Sequence, residues 1–358
     1  MNASVASIPV QKTAIQKLWF TRCPVPTPSA IAYKLGWLAE EFARDGIQLA
    51  TFQEDAKNGE LARHHYDHEL PGLFREGGNM LPIASRAQGS PNRLIGLTWI
   101  DEGQAIVVRK GSGITEPRQL KGARIALPGF VEKQIPSHVR GTSIGRGMTL
   151  AGVKGALTFA GLSFDDVKFV EIPVLPFNSN AAPREGLFRL WWGLQHLAEG
   201  KVDAVYVKGA AATQHVRELD LQIGIDLDRL PDRRFRVNNG TPRPITVHQD
   251  LLDDHYDLVV RFLEQTLRAA DWAATNVEGV RQILQSETRG DADAVLATYR
   301  DDFHKRLHPT LDPERLELFR RQKDFLLVHG FLDRDYDFDA WVEPRPLAEA
   351  AARRAAAK

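Results

Sequence analysis

The stretch "LWFTRCPVPTPSAIAYKLGWLAEEFARDGIQLATF", Leu18 to Phe52, decides the fold class. Leu18 to Thr21 are apolar or β-branched and read as a short buried strand. Thr27-Pro28 then places an N-cap before a proline at the first helical position. Ile31, Leu35, Leu38 and Phe42 recur at helical spacing, so a helix is predicted from there to Arg44. Asp45-Gly46 stops it, and Ile47 to Phe52 form the next strand. Strand, helix, strand is a βαβ unit with a parallel sheet.

The alternation continues along the chain. Strands are predicted at Arg93 to Ile100, Gln104 to Arg109, Ala123 to Leu127, Val167 to Val174 and Val202 to Val207. Helices are predicted at Gly147 to Leu162 and Leu187 to Gly200. From Asp250 the chain reads as mostly helical, with amphipathic runs at Leu251 to Asn276 and Pro313 to His329. The terminal "EAAARRAAAK" reads as a frayed helix or a solvated tail. Two α/β units followed by a returning helical segment predict two lobes with a cleft between them. Lobe one is residues 1–107 plus 236–358, and lobe two, 108–235, is inserted. In open α/β sheets ligands lie beyond the carboxyl ends of the strands, and Cys23 lies at such an end.

Composition narrows the function. The 358 residues suit two domains, and 43% hydrophobic with 26% charged residues is ordinary for a globular protein. Lys plus Arg equals Asp plus Glu at 46 each, which argues against nucleic acid as a partner. The single cysteine excludes an intramolecular disulfide and a cysteine-rich metal site. No apolar run approaches a membrane span. The N-terminal stretch lacks the basic start and apolar core of a secretory signal, so the expected compartment is the cytoplasm.

Two stretches could carry chemistry. Cys23 follows Arg22 and precedes a helix N-terminus, and a cation and a positive dipole end both favour a thiolate. A lone cysteine can equally be an inert core residue. The second stretch, Ala62 to Gly89, holds His64, His65 and His68, then Arg75, then Gly77-Gly78 opening a helix. Paired glycines before a helix let backbone N–H groups approach an anion. Arginine adds a two-pronged donor for a carboxylate, sulfinate or sulfonate. His64 and His68 have i, i+4 spacing, but no carboxylate pair completes a ligand set, so no metal is expected. The bland alternative is a solvated polar loop.

In order and spacing these motifs resemble the aryl sulfinate desulfinases that release sulfite from 2′-hydroxybiphenyl-2-sulfinate in dibenzothiophene desulfurisation. The resemblance rests on "CPVP" at Cys23 to Pro26 and on His65, Arg75, Gly77 and Gly78. It continues through "LSFDDVKFVEIP", "EGKVDAVYV", "DDFHKRLHPTLD" and "FLLVHGFL", and so covers nearly the whole chain. It implies the two-lobed type II periplasmic-binding-protein fold and a monomeric, cofactor-free cytoplasmic hydrolase of C–S bonds. It also implies a small anionic, sulfinate-type substrate. It makes Cys23 the catalytic cysteine and His65 the catalytic histidine, with His64 as the alternative. Arg75, Gly77, Gly78 and His64 would bind substrate. The rival reading on the same fold is a solute-binding protein for sulfonate- or nitrate-type anions, without catalysis.

Overall fold

The structure, a computed structural model, describes residues 15–23, 25–52, 61, 63–131, 140–173, 191–288 and 290–357. Its strands are β1 (Lys17–Arg22), β2 (Gln48–Thr51), β3 (Leu73–Glu76), β4 (Asn92–Thr98), β5 (Ala105–Arg109), β6 (Arg124–Pro128), β7 (Lys168–Ile172), β8 (Val205–Val207), β9 (Leu221–Asp226) and β10 (Arg243–His248). The first sheet has the order β2-β1-β3-β10-β4. β1 pairs in parallel with both β2 and β3, as the βαβ reading of Leu18 to Phe52 requires. β10 returns antiparallel between β3 and β4.

The second lobe holds the antiparallel set β8-β5-β9 and the parallel pair β6-β7. A parallel bridge between Ile125 and Ala204 joins the two groups. The chain leaves the first sheet after β4 and rejoins it with β10, which gives two lobes. The expected boundary at 107/108 falls inside β5.

Thr27 caps the first helix, Pro28–Lys34, its Oγ1 accepting from the Ala30 N–H at 3.1 Å. The single helix expected to run to Arg44 is broken: Gly36, at φ +80°, ends the first piece, and a second spans Trp37–Ala43. The glycine takes a left-handed turn that a side chain would oppose. The run from Leu251 likewise divides at His255 into helices Gln249–Asp254 and Tyr256–Thr275. The expected tail is a packed helix, Arg345–Ala356, with Leu347 and Ala350 buried against Tyr256–Thr275. Of the helix expected over 187–200, Gly193–Ala198 is present, and Leu187 to Leu190 lie outside the described residues.

Each lobe has its own apolar core. That of the first packs Leu18, Phe20 and Phe74 of the sheet against Phe262 and Leu263 of helix Tyr256–Thr275. That of the second gathers β5, β8 and helix Ile144–Phe159. A third cluster joins Leu127 and Leu150 of the second lobe to Met80, Leu94, Phe319 and Trp341. The C-terminal segment therefore packs on both lobes.

The Phe74 and Phe262 rings stack with centroids 4.1 Å apart, and Phe20 packs at 5.8 Å from Phe262. Phe262→Ala removes this anchor behind the strand that carries Arg75. The expected loss is about 3–5 kcal/mol of unfolding free energy in urea titration, and a loss below about 1 kcal/mol would show that the sheet is held elsewhere.

Candidate active site

Strand register builds the site. β1 and β3 pair with Thr21 opposite Arg75 and Arg22 opposite Glu76. Side chains alternate across a sheet, so Thr21, Cys23, Arg75 and Gly77 share one face and Arg22 and Glu76 the other. The Cys23 N–H continues the ladder to the Glu76 carbonyl at 3.2 Å. Cys23 is half-buried, just beyond the end of β1.

Arg22, expected to stand beside the thiol, faces away from it. It holds the Glu287 carboxylate through Nε and Nη2 at 2.9 and 3.0 Å, and lies 4.6 Å over the Tyr33 ring. Glu76, on the same face, takes hydrogen bonds from the Ser29 hydroxyl and, at 2.8 Å, from Thr98 Oγ1. Burial pushes its carboxyl pKa up.

The groups that do meet Cys23 come from the second stretch. The Gly78 N–H donates to Cys23 Sγ at 3.2 Å. A Cβ on Gly77 would lie 2.7 Å from that sulfur and 2.9 Å from Arg75 Nη2, so only glycine fits between thiol and guanidinium. Arg75 is 1% exposed, and none of its three guanidinium nitrogens has a hydrogen-bond partner among the described residues. Burial, opposed in part by Cys23, lowers its pKa to about 10. An unpaired buried cation is costly, and an anion bound here would supply the missing acceptors.

The two histidines diverge, as neighbours on a helical turn do. His64 Nδ1 lies 2.7 Å from Asp67 Oδ1, directed to its own helix, His64–Asp67. His65 Nδ1 lies 2.8 Å from Thr21 Oγ1, on the face of Cys23 and Arg75. Burial first, and the Arg75 charge second, press the His65 imidazole down to about 3, so it is neutral at physiological pH. The structure thus brings Cys23, His65, Arg75, Gly77 and Gly78 together and leaves His64 apart.

The helix after Gly78 is less open than the sequence implies. It spans Met80–Ala87. The Gly77 N–H is directed to the Pro244 carbonyl at 3.4 Å, the Asn79 N–H to the Asn239 carbonyl at 2.6 Å, and the Met80 N–H to Asn239 Oδ1 at 2.9 Å. The N–H of Gly78 is the one aimed into the site.

Sequence reasoning missed several neighbours. Tyr66 is shifted up by burial, with Cys23 and Arg75 both acting on it, and its ring lies 5.3 Å from that of His65. Arg243, Glu102 and Lys208 meet beside Gly240. No local motif marks these three, since they come from β10, the connection after β4 and the end of β8. A separate cavity of about 610 Å³, between helices Ile144–Phe159 and Pro313–Val328, is lined by none of these residues.

No family model matches the chain. It is 26% identical over 356 residues to the 2′-hydroxybiphenyl-2-sulfinate desulfinases of Rhodococcus erythropolis and Rhodococcus qingshengii, covering 92% of this chain and of each relative. Among solved structures it is similar to the desulfurization enzyme DSZB, with a TM-score of 0.75 at 24% identity over 95% of this chain and 99% of that one. A Cys-to-Ser variant of DSZB in complex with biphenyl-2-sulfinic acid gives 0.72 over 94% and 99%. The periplasmic aliphatic sulphonate-binding protein SsuA of Escherichia coli gives 0.66 at 14% identity over 92% and 93%. The resemblance read from the motifs and the two-lobed binding-protein fold both hold.

His65 provides a pH test. Its unfolded value is near 6.5, so between pH 6.5 and 3 the unfolded chain binds the extra proton and stability falls as pH falls. From pH 7 to pH 4 wild type should lose about 3 kcal/mol more than His65→Gln in urea unfolding. Equal losses would mean that His65 protonates freely in the folded protein.

Proposed function

We propose that this protein is a desulfinase-like hydrolase that cleaves the C–S bond of an aromatic sulfinate and releases sulfite. The observation that carries the reading is the buried, unpartnered Arg75 guanidinium on the same strand face as Cys23, with only Gly77 between them. The relatives named desulfinase, and the complex of their structural counterpart with a biphenyl sulfinic acid, support it.

The overall change is arylsulfinate plus water giving arene plus hydrogen sulfite, with one negative charge on each side. Cys23 acts as the acid. Its S–H bond breaks as the proton joins the ring carbon, and the electron pair of the C–S bond becomes the new C–H bond. Sulfur dioxide leaves and takes up water, and the proton so released restores the thiol. A neutral thiol approaches an anionic sulfinate without repulsion, whereas a thiolate would not. The charge then moves from sulfinate to Cys23 sulfur, to which the Gly78 N–H already donates and near which the Arg75 charge lies. Fixed donors aimed at developing charge lower the barrier without reorganising. His65, neutral and anchored to Thr21, shapes the pocket wall rather than storing a proton.

A second reading, an anion-binding protein without chemistry, draws on the likeness to the sulphonate-binding protein. Incubation with a panel of aryl sulfinates and assay of sulfite separates the two. Wild type is expected to release sulfite, and absence of release with retained sulfonate binding would favour the binder.

Cys23→Ser should abolish turnover with little change in melting temperature, because the hydroxyl is a far weaker acid than the thiol. Sulfite release at the wild-type rate in that variant would remove Cys23 from the chemistry. Arg75→Ala should cost on the order of 2–5 kcal/mol in kcat/KM, and Arg75→Lys should fall well short of rescue because it loses the fork. Loss of fold rather than of analogue binding in Arg75→Ala would place the anion elsewhere.

A further inference from the structure

The cavity between helices Ile144–Phe159 and Pro313–Val328 takes no part in the reaction above. Its volume, about 610 Å³, is that of a small-molecule site. Helix Ile144–Phe159 lines it with Lys154 and Thr158, one turn apart on one helical face. Helix Pro313–Val328 lines it with Arg321 and Phe325. Arg234 and Phe235, on the connection that returns from lobe two, also face it.

This is a second site, since none of Cys23, His65, Arg75, Gly77 and Gly78 lines it. A hydrogen-bonded chain nevertheless joins the two. Gly78 gives its N–H to Cys23 Sγ, and the side chain of the next residue, Asn79, meets the cavity wall. Gln322, a buried lining residue, donates to Asn79 Oδ1 at 3.2 Å. Asn79 Nδ2 in turn donates to the carbonyls of Asn238 and Pro242 at 2.6 and 2.9 Å.

The lining has rings and charges. The Phe325 ring lies 4.4 Å from that of His329, and Lys154 Nζ lies 4.9 Å over Phe325. The Arg234 guanidinium lies 4.6 Å over Phe235. Val328, also in the lining, is 79% exposed, the most open large apolar side chain among the described residues. A flat apolar body would cover these surfaces. The charges select its head group. Arg234 is paired with Asp232 at 3.1 Å and Arg321 with Glu317 at 3.0 Å. Asp324, the one acid in the lining, is paired with Lys323 at 2.8 Å. Lys154 has no ion pair or hydrogen bond among the described residues. Burial lowers its pKa, and the Arg321 charge adds to the shift. His329 is lowered too, by burial and then by Lys154, so at pH 7 its ring is mainly neutral. One positive charge in the lining is thus left without an acid.

We infer that this cavity binds a flat aromatic monoanion, an aryl carboxylate or sulfonate, with its ring against Phe325 and Phe235 and its acid on Lys154. The inference goes beyond the reading of Cys23 and Arg75 and does not depend on it. An occupant would touch Gln322, and through Asn79 the residue beside the Gly78 donor. A merely structural cavity would hold water and show no preference for a ring with a charge.

The probe is 2-naphthoate, with acetate as the charge alone and 2-naphthylmethanol as the ring alone. Dissociation constants are measured by calorimetry on the whole protein at pH 7 and low, fixed salt. Wild type should bind 2-naphthoate more tightly than either fragment. Lys154 is exposed, so Lys154→Met should weaken binding roughly three- to fivefold, as for an exposed ion pair. Lys154→Arg should restore most of the affinity. Thr158→Trp fills the cavity from an exposed position and should weaken binding by about tenfold or more. Arg75→Ala, which removes the anion donor of the thiol site, should change the constant by less than about twofold. Acetate or 2-naphthylmethanol binding as tightly as 2-naphthoate overturns the inference. So does an affinity that survives both Lys154→Met and Thr158→Trp, or one lost in Arg75→Ala alone, which would put the acid beside Cys23. If Arg75→Ala does not fold, Thr158→Trp decides, because Thr158 lines this cavity and not the thiol site.

Discussion

The register of β3 against β1 governs the rest of the site. Pairing Thr21 with Arg75 puts a thiol, a hydroxyl and a guanidinium on one face at the carboxyl end of a parallel pair. Because side chains alternate with a period of two, a slip of one residue would exchange the faces. Arg22 and Glu76 would then enter the cleft, and Cys23 would turn toward Glu287. What prevents the slip is the other face, where Arg22 is tied to Glu287 and Glu76 to Ser29 and Thr98. The structural ion pair and the chemical pair are two outcomes of one register.

Close approach is the second constraint, and it explains why glycines occur where they do. Gly77 separates sulfur from guanidinium, and Gly78 gives its N–H to the sulfur while packing on Asn239. The segment from Asn238 to Pro242 returns from the second lobe and closes the start of helix Met80–Ala87 through Asn239. That closure engages two donors at the helix start, the Asn79 and Met80 N–H groups. Arg75 therefore bears more of the work of anion binding than a glycine-rich helix start would suggest.

Much of this was legible locally. The βαβ reading of Leu18 to Phe52 follows from apolar spacing and a Thr-Pro cap, and both survive in the structure. Cys23 could be marked because it follows a patterned strand, and Arg75 and Gly78 because an arginine precedes paired glycines. Arg22 was misplaced because sequence adjacency suggests proximity, whereas strand geometry sends adjacent side chains to opposite faces. His64 and His65 could not be told apart by type; a helical turn separates them by about 100°, and which one faces Thr21 is a tertiary fact. The break at Gly36 lay inside an unbroken apolar pattern. The packed C-terminal helix looked like a tail because its buried residues, Pro346, Leu347 and Ala350, are few among alanines and arginines.

The triad of Glu102, Lys208 and Arg243 shows the limit of sequence reading most clearly. Each is an ordinary charged residue at a strand end, in a chain whose formal charge is zero. Only the assembly of both lobes brings them together beside Gly240. Net charge thus says nothing of the local field, which is what a small anion meets. A receptor and a hydrolase can share this fold, this cleft and even this field, since both must hold an anion away from water. They differ in whether the anion's charge has somewhere to go once a bond breaks. In the proposed reaction it has Cys23, one glycine away from the guanidinium that would hold the charge before.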